Sequence, residues 1–415
     1  MSTDHLVVVG AGLAGIRACE SARREGFTGA LTLVGSETHL PYDRPPLSKE
    51  LLLADDEPAL PELRENSFLR EELGVDVRTD SAATGVDVEA RVLNTAAGDL
   101  GYDAMVIAVG AHARRLPGTE HIHGVHTVRT FADTQSIWRA LRARARVVVV
   151  GAGFIGAEVA SAARKLGLSV TIVEAAPAPL TRSLGVAGGA LCADLHARNG
   201  TELILGVGVS GLQTSGGDAP AVTGVELADG RVLDADLVVV GVGAVPSTQW
   251  LAGTGVALNG VDGGVECSET LAVLDNAGQP IPGLWAAGDV AHWHNALFDR
   301  RMRLEHWTSA AEQGACAARN AIGTEAGVYE TVPYFWSDWY GTRLQFVGVP
   351  DADEILVQDR ADKSGGTVVL YRGGDTVAGV LTIGRPDLIM KYRRLVAKRA
   401  PWADGVAYGA DLCRA

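Results

Sequence analysis

Cysteine is scarce in this chain. Five residues in 415, Cys19, Cys192, Cys267, Cys316 and Cys413, stand far apart with no Cys-x-x-Cys between them. That dispersion excludes a zinc ribbon, a secreted disulfide scaffold and a redox centre made of neighbouring cysteines. Positive charge is also short, with 36 Lys and Arg against 50 Asp and Glu and a net charge of −14. A general nucleic-acid binder needs a basic face to neutralise phosphates, so that class is excluded and any basic patch must be local. Long hydrophobic runs are missing too. The most apolar window, 147–163, carries Gly151, Gly153, Gly156 and Glu158 and falls short of the roughly 20 apolar residues that cross a bilayer. The opening MSTDHLVVVGAG has neither the basic start nor the apolar core of a signal peptide. A soluble, cytoplasmic protein without membrane contact or bound metal is expected.

Glycine, by contrast, is abundant: 51 of 415 residues, well above the usual share of about 7%. No collagen period or Gly/Ser tract accounts for it, so the glycines serve backbone geometry. Short β-rich apolar runs at 6–9, 31–34, 105–109, 147–150, 170–173 and 237–240 end at or near glycine or an acidic residue. They read as buried parallel strands. Helical spacing fills 13–25 between the first two and 154–166 between the fourth and fifth. A strand–helix–strand unit therefore occurs twice, and this internal repeat predicts an α/β chain with two Rossmann-like dinucleotide-binding domains. From about Tyr329 aromatics crowd in, among them Tyr334, Phe335, Trp336 and Trp339, and alternating segments follow at 368–371 and 377–383. A C-terminal α+β domain with antiparallel strands is expected there.

Both repeats carry a glycine fingerprint. Gly10-Ala11-Gly12-Leu13-Ala14-Gly15 and Gly151-Ala152-Gly153-Phe154-Ile155-Gly156 each follow a strand and open a helix. In such a turn the first glycine reverses the chain, the second lets a pyrophosphate approach the backbone, and the third packs helix on strand. Ser36-Glu37 and Glu174 close the respective second strands, where a ribose-binding acid belongs. Glu174 would repel a 2′-phosphate, and Ala175-Ala176-Pro177-Ala178 offers no arginine to bind one; Arg182 is the nearest. NADH rather than NADPH is expected at the second fingerprint.

Leu40-Pro41-Tyr42-Asp43-Arg44-Pro45-Pro46-Leu47-Ser48-Lys49 sets three prolines and two cations directly after the first ribose acid. Further along stand Trp285-Ala286-Ala287-Gly288-Asp289, Arg303-Leu304-Glu305-His306-Trp307 and Val332-Pro333-Tyr334-Phe335-Trp336-Ser337-Asp338. With these strings, in this order, the chain resembles the FAD-dependent ferredoxin reductases of oxygenase systems, the putidaredoxin reductase-like family, and more distantly apoptosis-inducing factor. The resemblance implies the glutathione-reductase type of fold. Residues 1–113 and 247–324 would bind FAD, 114–246 would bind NAD, and 325–415 would form the C-terminal domain.

It also implies site residues. FAD would lie against Gly10, Gly12, Ala14, Gly15, Ser36, Glu37, Arg44, Lys49, Ala83, Ala108, Arg129, Asp289, Trp307 and Trp336. NADH would lie against Gly151, Gly153, Ile155, Gly156, Glu158, Glu174, Arg182, Gly243, Glu305 and His306. Arg44 and Arg129 can neutralise a pyrophosphate bidentately. Lys49, Glu158 and Trp307 are the expected catalytic group, with Glu158 on the first turn of its helix and paired to Lys49 beside the flavin. The family's activity would then be hydride transfer from NADH to flavin N5, followed by single-electron release to a small [2Fe–2S] or related ferredoxin serving a cytochrome P450 or ring-hydroxylating dioxygenase. Ferredoxins are usually acidic, which directs attention to two basic segments: Arg300, Arg301 and Arg303, and Lys391, Arg393 and Arg394. Trp339 stands where relatives often have glutamine and would alter the aromatic face near Trp336. Rival readings are a reductase of quinones or other small acceptors, and an NADH-sensing interaction module.

Overall fold

The computed structural model describes residues 3–323, 326–359 and 366–414, and the chain divides into two compact units. The first comprises Met1–Asp43, Pro61–His112 and Val245–Pro333. Its centre is a six-stranded sheet in the order Ala272–Leu274, Pro280–Ala286, Ala104–Ile107, His5–Val9, Ala30–Val34, Asp76–Arg78. Every neighbouring pair is parallel except the edge hairpin Ala272–Leu274/Pro280–Ala286. Leu6, Val7, Val8 and Val9 are buried on both faces, which is why the strand reads as an unbroken apolar run rather than an alternation. Helices Leu13–Arg24 and Trp307–Ile322 pack closely: a Cβ on Gly314 would stand 2.1 Å from the carbonyl oxygen of Ala14. A three-stranded antiparallel sheet, Ala83–Asp87, Val92–Thr95 and Gly98–Gly101, completes this unit.

The second unit comprises Arg44–Leu60, Ala113–Ala244 and Tyr334–Ala415. Its parallel sheet runs Glu202–Leu205, Val170–Glu174, Val147–Val150, Leu237–Val240, Val125–His126. Helix Phe131–Arg142 starts at a capping box in which Thr130 and Asp133 satisfy each other's backbone N–H groups. The C-terminal segment forms a five-stranded antiparallel sheet, Tyr334–Trp339, Thr342–Gly348, Thr376–Ile383, Thr367–Gly373, Glu354–Asp359, followed by helices Ile389–Ala397 and Trp402–Arg414.

Compactness thus groups the chain differently from the expected three parts. The C-terminal sheet shares one core with the second nucleotide fold, where Ala157, Leu184 and Cys192 lie among Trp339, Phe346, Tyr371 and Leu381. Tyr371 Oη donates to the Leu184 carbonyl at 2.8 Å across that core. Residues 44–60 also leave the first unit, because Thr134 Oγ1 of the capped helix donates to the Leu47 carbonyl at 3.1 Å and Trp138 Nε1 to that of Ala54 at 2.8 Å.

Candidate active site

In the first unit, each glycine of the fingerprint has a different physical duty. Gly10 sits at φ +118°, and a Cβ there would lie 2.1 Å from the Ala108 carbonyl oxygen. Gly15 packs on the turn itself, with its would-be Cβ 2.0 Å from the Gly10 carbonyl oxygen. Gly12 is the opposite case: beyond its two chain neighbours, no atom lies within 4 Å of where its Cβ would be. It is also the N-cap of helix Leu13–Arg24 and contributes no side-chain cap, so the first N–H groups of that helix face an open space suited to an anion. Ala108 is fastened beside this turn by its N–H on the Val9 carbonyl at 2.7 Å. Glu37 accepts from Tyr42 Oη at 2.6 Å, while Ser36 is exposed. Ala83 starts the small sheet, held near the strand end by Ser81 N–H on the Gly35 carbonyl at 2.8 Å.

Asp289 lies in the short 3-10 turn Gly288–Val290. Gly288 there is at φ +80°, and its N–H is held by Gln313 Oε1 at 2.8 Å. Trp307 opens the long helix and donates from Nε1 to Asp43 Oδ1 at 2.9 Å. His306 is pushed down to about 4 by burial, against the opposing pull of Asp289, so it is neutral at physiological pH.

The second fingerprint repeats the division of labour within the second unit. Gly151 is at φ +99° with a would-be Cβ 2.5 Å from the Gly241 carbonyl oxygen, and that of Gly156 would meet the Gly151 carbonyl oxygen at 2.3 Å. Gly153 has only the Gly241 carbonyl oxygen, at 3.5 Å. Ile155 is exposed at the helix start, and Gly243 turns at φ +106° with open space beside it. Glu174 already holds two N–H groups, those of Ala152 and Ala176, each at 2.8 Å. These bonds pin the carboxylate beside the fingerprint, and its remaining lone pairs can still accept from ribose hydroxyls. Arg182 is exposed on the helix Thr181–Arg198. Arg44 donates to the Arg129 carbonyl, and the Arg129 N–H is held by Asp133 at 3.0 Å.

Lys49 and Glu158 meet, with Nζ 2.8 Å from Oε1 and side chains 18% and 3% exposed. Glu158 is the fifth residue of helix Phe154–Lys165, at the start of its second turn rather than on the first, and is buried. Two partners escaped the sequence reading. Ser48 Oγ donates to Oε2 at 2.5 Å, and Ser337 Oγ donates to Oε1. Burying a carboxylate this deeply is costly unless such a set of donors faces it.

Residues 4–314 match the family model described as pyridine nucleotide-disulphide oxidoreductase, and residues 334–410 match that of the reductase C-terminal domain. The chain belongs to the pyridine nucleotide-disulphide oxidoreductase family. Rhodocoxin reductase of Rhodococcus erythropolis is 35% identical over 98% of this chain and 92% of its own length. The ferredoxin–NAD(+) reductase subunit of the benzene 1,2-dioxygenase system of Pseudomonas putida is 35% identical over 95% and 92%. The crystal structure of the covalent putidaredoxin reductase–putidaredoxin complex matches with a TM-score of 0.87 and 31% identity, covering 97% of this chain and 94% of that one. Within the family the chain stands with the NAD(P)H-dependent ferredoxin reductases, which use FAD and NAD(P)H. Its own residues fit two dinucleotides: two open glycine positions, each heading an uncapped helix, each with an acid at the neighbouring strand end.

Despite the family's name, Cys19, Cys192, Cys267 and Cys316 are free, buried thiols. Burial pushes Cys19, Cys192 and Cys267 up to about 12, which leaves them protonated and unreactive. No helix among the described residues is long and apolar enough to cross a membrane.

Two expectations change. Arg303 is only 11% exposed and is held by Asp262 at 2.9 Å and Glu305 at 2.8 Å, so it braces its own unit instead of offering charge to a partner. Glu305 is correspondingly engaged. Trp339 is fully buried and lies an odd number of strand positions from Trp336, so the two side chains leave opposite faces of Tyr334–Trp339. It cannot shape an aromatic surface beside Trp336, which stacks on Tyr334 at 5.8 Å.

Proposed function

We propose that this protein oxidises NADH in the cytoplasm and passes the electrons singly to a small [2Fe–2S] or related ferredoxin that serves a cytochrome P450 or a ring-hydroxylating dioxygenase. The observation that carries the reading is the Lys49–Glu158 ion pair buried on the helix of the second fingerprint. Bound FAD would supply chemistry that couples a two-electron donor to a one-electron acceptor. Gly10, Gly12 and Gly15, with Glu37 and Asp289, would hold the FAD in the first unit. Gly151, Gly153 and Gly156 seat the NADH pyrophosphate, and Glu174 selects the ribose by repelling a 2′-phosphate. Lys49 provides fixed positive charge for the reduced state, and Glu158 keeps that ammonium in one place. Charge fixed in advance is stabilising because little need reorganise during the reaction.

The acceptor docks on helix Ile389–Ala397, where Lys391 and Arg394 are exposed and Arg393 is half-buried. This face is preferred over Arg300–Met302, because Arg301 is held by Glu266 and by the carbonyls of Cys267 and His292. The charge-reversed protein Lys391→Glu/Arg394→Glu should reduce ferredoxin about tenfold more slowly at low salt, with a flattened salt dependence. Ferricyanide reduction should stay at the starting rate. Equal loss with both acceptors would indicate damage to folding or flavin, and an unchanged ferredoxin rate would remove this helix from docking.

A further inference from the structure

We propose that Trp339 and Ser337 are positioning residues for the Lys49–Glu158 pair, with Trp339 fixing the direction in which the Ser337 hydroxyl donates. The inference rests on the reading of that pair given above and extends it to two groups outside the pair.

The argument begins with what a hydroxyl can do. Serine has one hydrogen, so Ser337 can donate to a single partner. Its Oγ lies near two groups: Glu158 Oε1, and Trp339 Nε1 at 2.8 Å. An indole N–H can only donate. Ser337 must therefore accept from Trp339, and its hydrogen is left for Glu158. Serine with no indole beside it could rotate, accept elsewhere, and leave the carboxylate with one donor fewer. Ser337 and Trp339 are both fully buried, so no solvent competes for these bonds.

Trp339 is itself immobilised. Its ring lies 5.0 Å from that of His196, tilted by 31°. His196 is fully buried and linked through Nδ1 to Tyr340 Oη at 2.8 Å, and that hydroxyl also meets Thr201 Oγ1 at 2.9 Å. Tyr340 reverses the chain at φ +53° and Gly341 at φ +79°, and the Tyr340 N–H is held by Ser161 Oγ at 2.7 Å. Ser161 is three residues beyond Glu158 on the same helix. The hairpin end is thus fastened to successive turns of one helix, by Ser337 on Glu158 and by Tyr340 on Ser161. Glu158 is fixed from this side, and Lys49 is fixed by Glu158.

The test compares holoenzyme carrying Trp339→Phe or Ser337→Ala with the starting protein. Trp339→Phe keeps a ring against His196 and removes the donor together with part of the ring's volume; Ser337→Ala removes only the hydroxyl and is the cleaner of the two. The first readout is acylation of Lys49 by acetic anhydride, followed by mass spectrometry and scaled to the exposed Lys165 on the Glu158 helix. With its carboxylate loosened, Lys49 should label about three- to tenfold faster, the scale of one lost buried hydrogen bond. The second readout is the rate at which NADH bleaches the flavin, which should fall by a similar factor, with the apparent affinity for NADH little changed. Unchanged Lys49 labelling in a folded variant overturns the proposal, whatever the bleaching rate does. Faster labelling with undiminished bleaching upholds the positioning and refutes the role of the pair in NADH oxidation.

Discussion

Glu158→Gln should slow NADH-driven bleaching of the bound flavin by about a hundredfold, the scale on which removing a preorganised charge partner acts in a dry site. Lys49→Met should do the same, and the double variant should be no slower than either single one, because each substitution abolishes the same interaction. Flavin content per chain should remain within about twofold of the starting protein, since neither side chain belongs to the turns that seat the pyrophosphate. Glutamine preserves the shape of Glu158 and can still accept from Ser48, but it gives Lys49 no counter-charge. Lys49 is only 18% exposed, so stability should drop as well. Stopped-flow absorbance on a folded, yellow variant separates the two effects. Bleaching at the original rate would show that the pair is a structural ion pair and no more.

Gly12→Val and Gly153→Val should separate the two cofactors. Both positions are helix N-caps with room for a larger side chain: beyond the chain neighbours, nothing is within 4 Å at Gly12, and only the Gly241 carbonyl oxygen, at 3.5 Å, at Gly153. Valine at an N-cap costs the helix about 1 kcal/mol, which leaves the chain folded. Gly12→Val should purify colourless, its valine occupying the approach of the FAD pyrophosphate. Gly153→Val should purify yellow and require at least about tenfold more NADH for half-maximal bleaching. Gly10→Ala provides the contrast. Its Cβ would stand 2.1 Å from the Ala108 carbonyl oxygen at φ +118°, so this smaller substitution should yield little folded protein. Normal flavin and NADH binding in both valine variants would remove the fingerprints from the cofactor sites.

Much of this was legible in the residues. Buried parallel strands such as Val147–Val150 announce themselves as unbroken β-branched runs, and the fingerprints are local in sequence, so turn, helix and acid could be placed together. What was hidden depends on distant partners. Ser48 and Ser337 reach Glu158 across 110 and 179 residues, and no periodicity tells which hydroxyl closes on a buried carboxylate. Arg303 looked like one of three cations in a run, but Asp262, 41 residues earlier, draws it inward. The placement of Trp339 was within reach of the sequence: period-two alternation puts Phe335, Ser337 and Trp339 on one face and Tyr334, Trp336 and Asp338 on the other. The union of the C-terminal sheet with the second nucleotide fold was hidden because its core residues, Leu184 and Tyr371 among them, are each ordinary hydrophobics until the fold brings them together.

The central claim is that electrons enter from NADH in pairs and leave singly to an iron–sulfur protein. Its most direct test is an anaerobic titration of NADH into the purified yellow protein with excess oxidised [2Fe–2S] ferredoxin, using putidaredoxin and the ferredoxin components of dioxygenase systems in turn. Reduction is followed by the loss of the cluster's visible absorbance. The predicted result is about two molecules of ferredoxin reduced per NADH with at least one of these acceptors, as electron balance requires. Flavin that NADH bleaches promptly while every ferredoxin stays oxidised would contradict the claim.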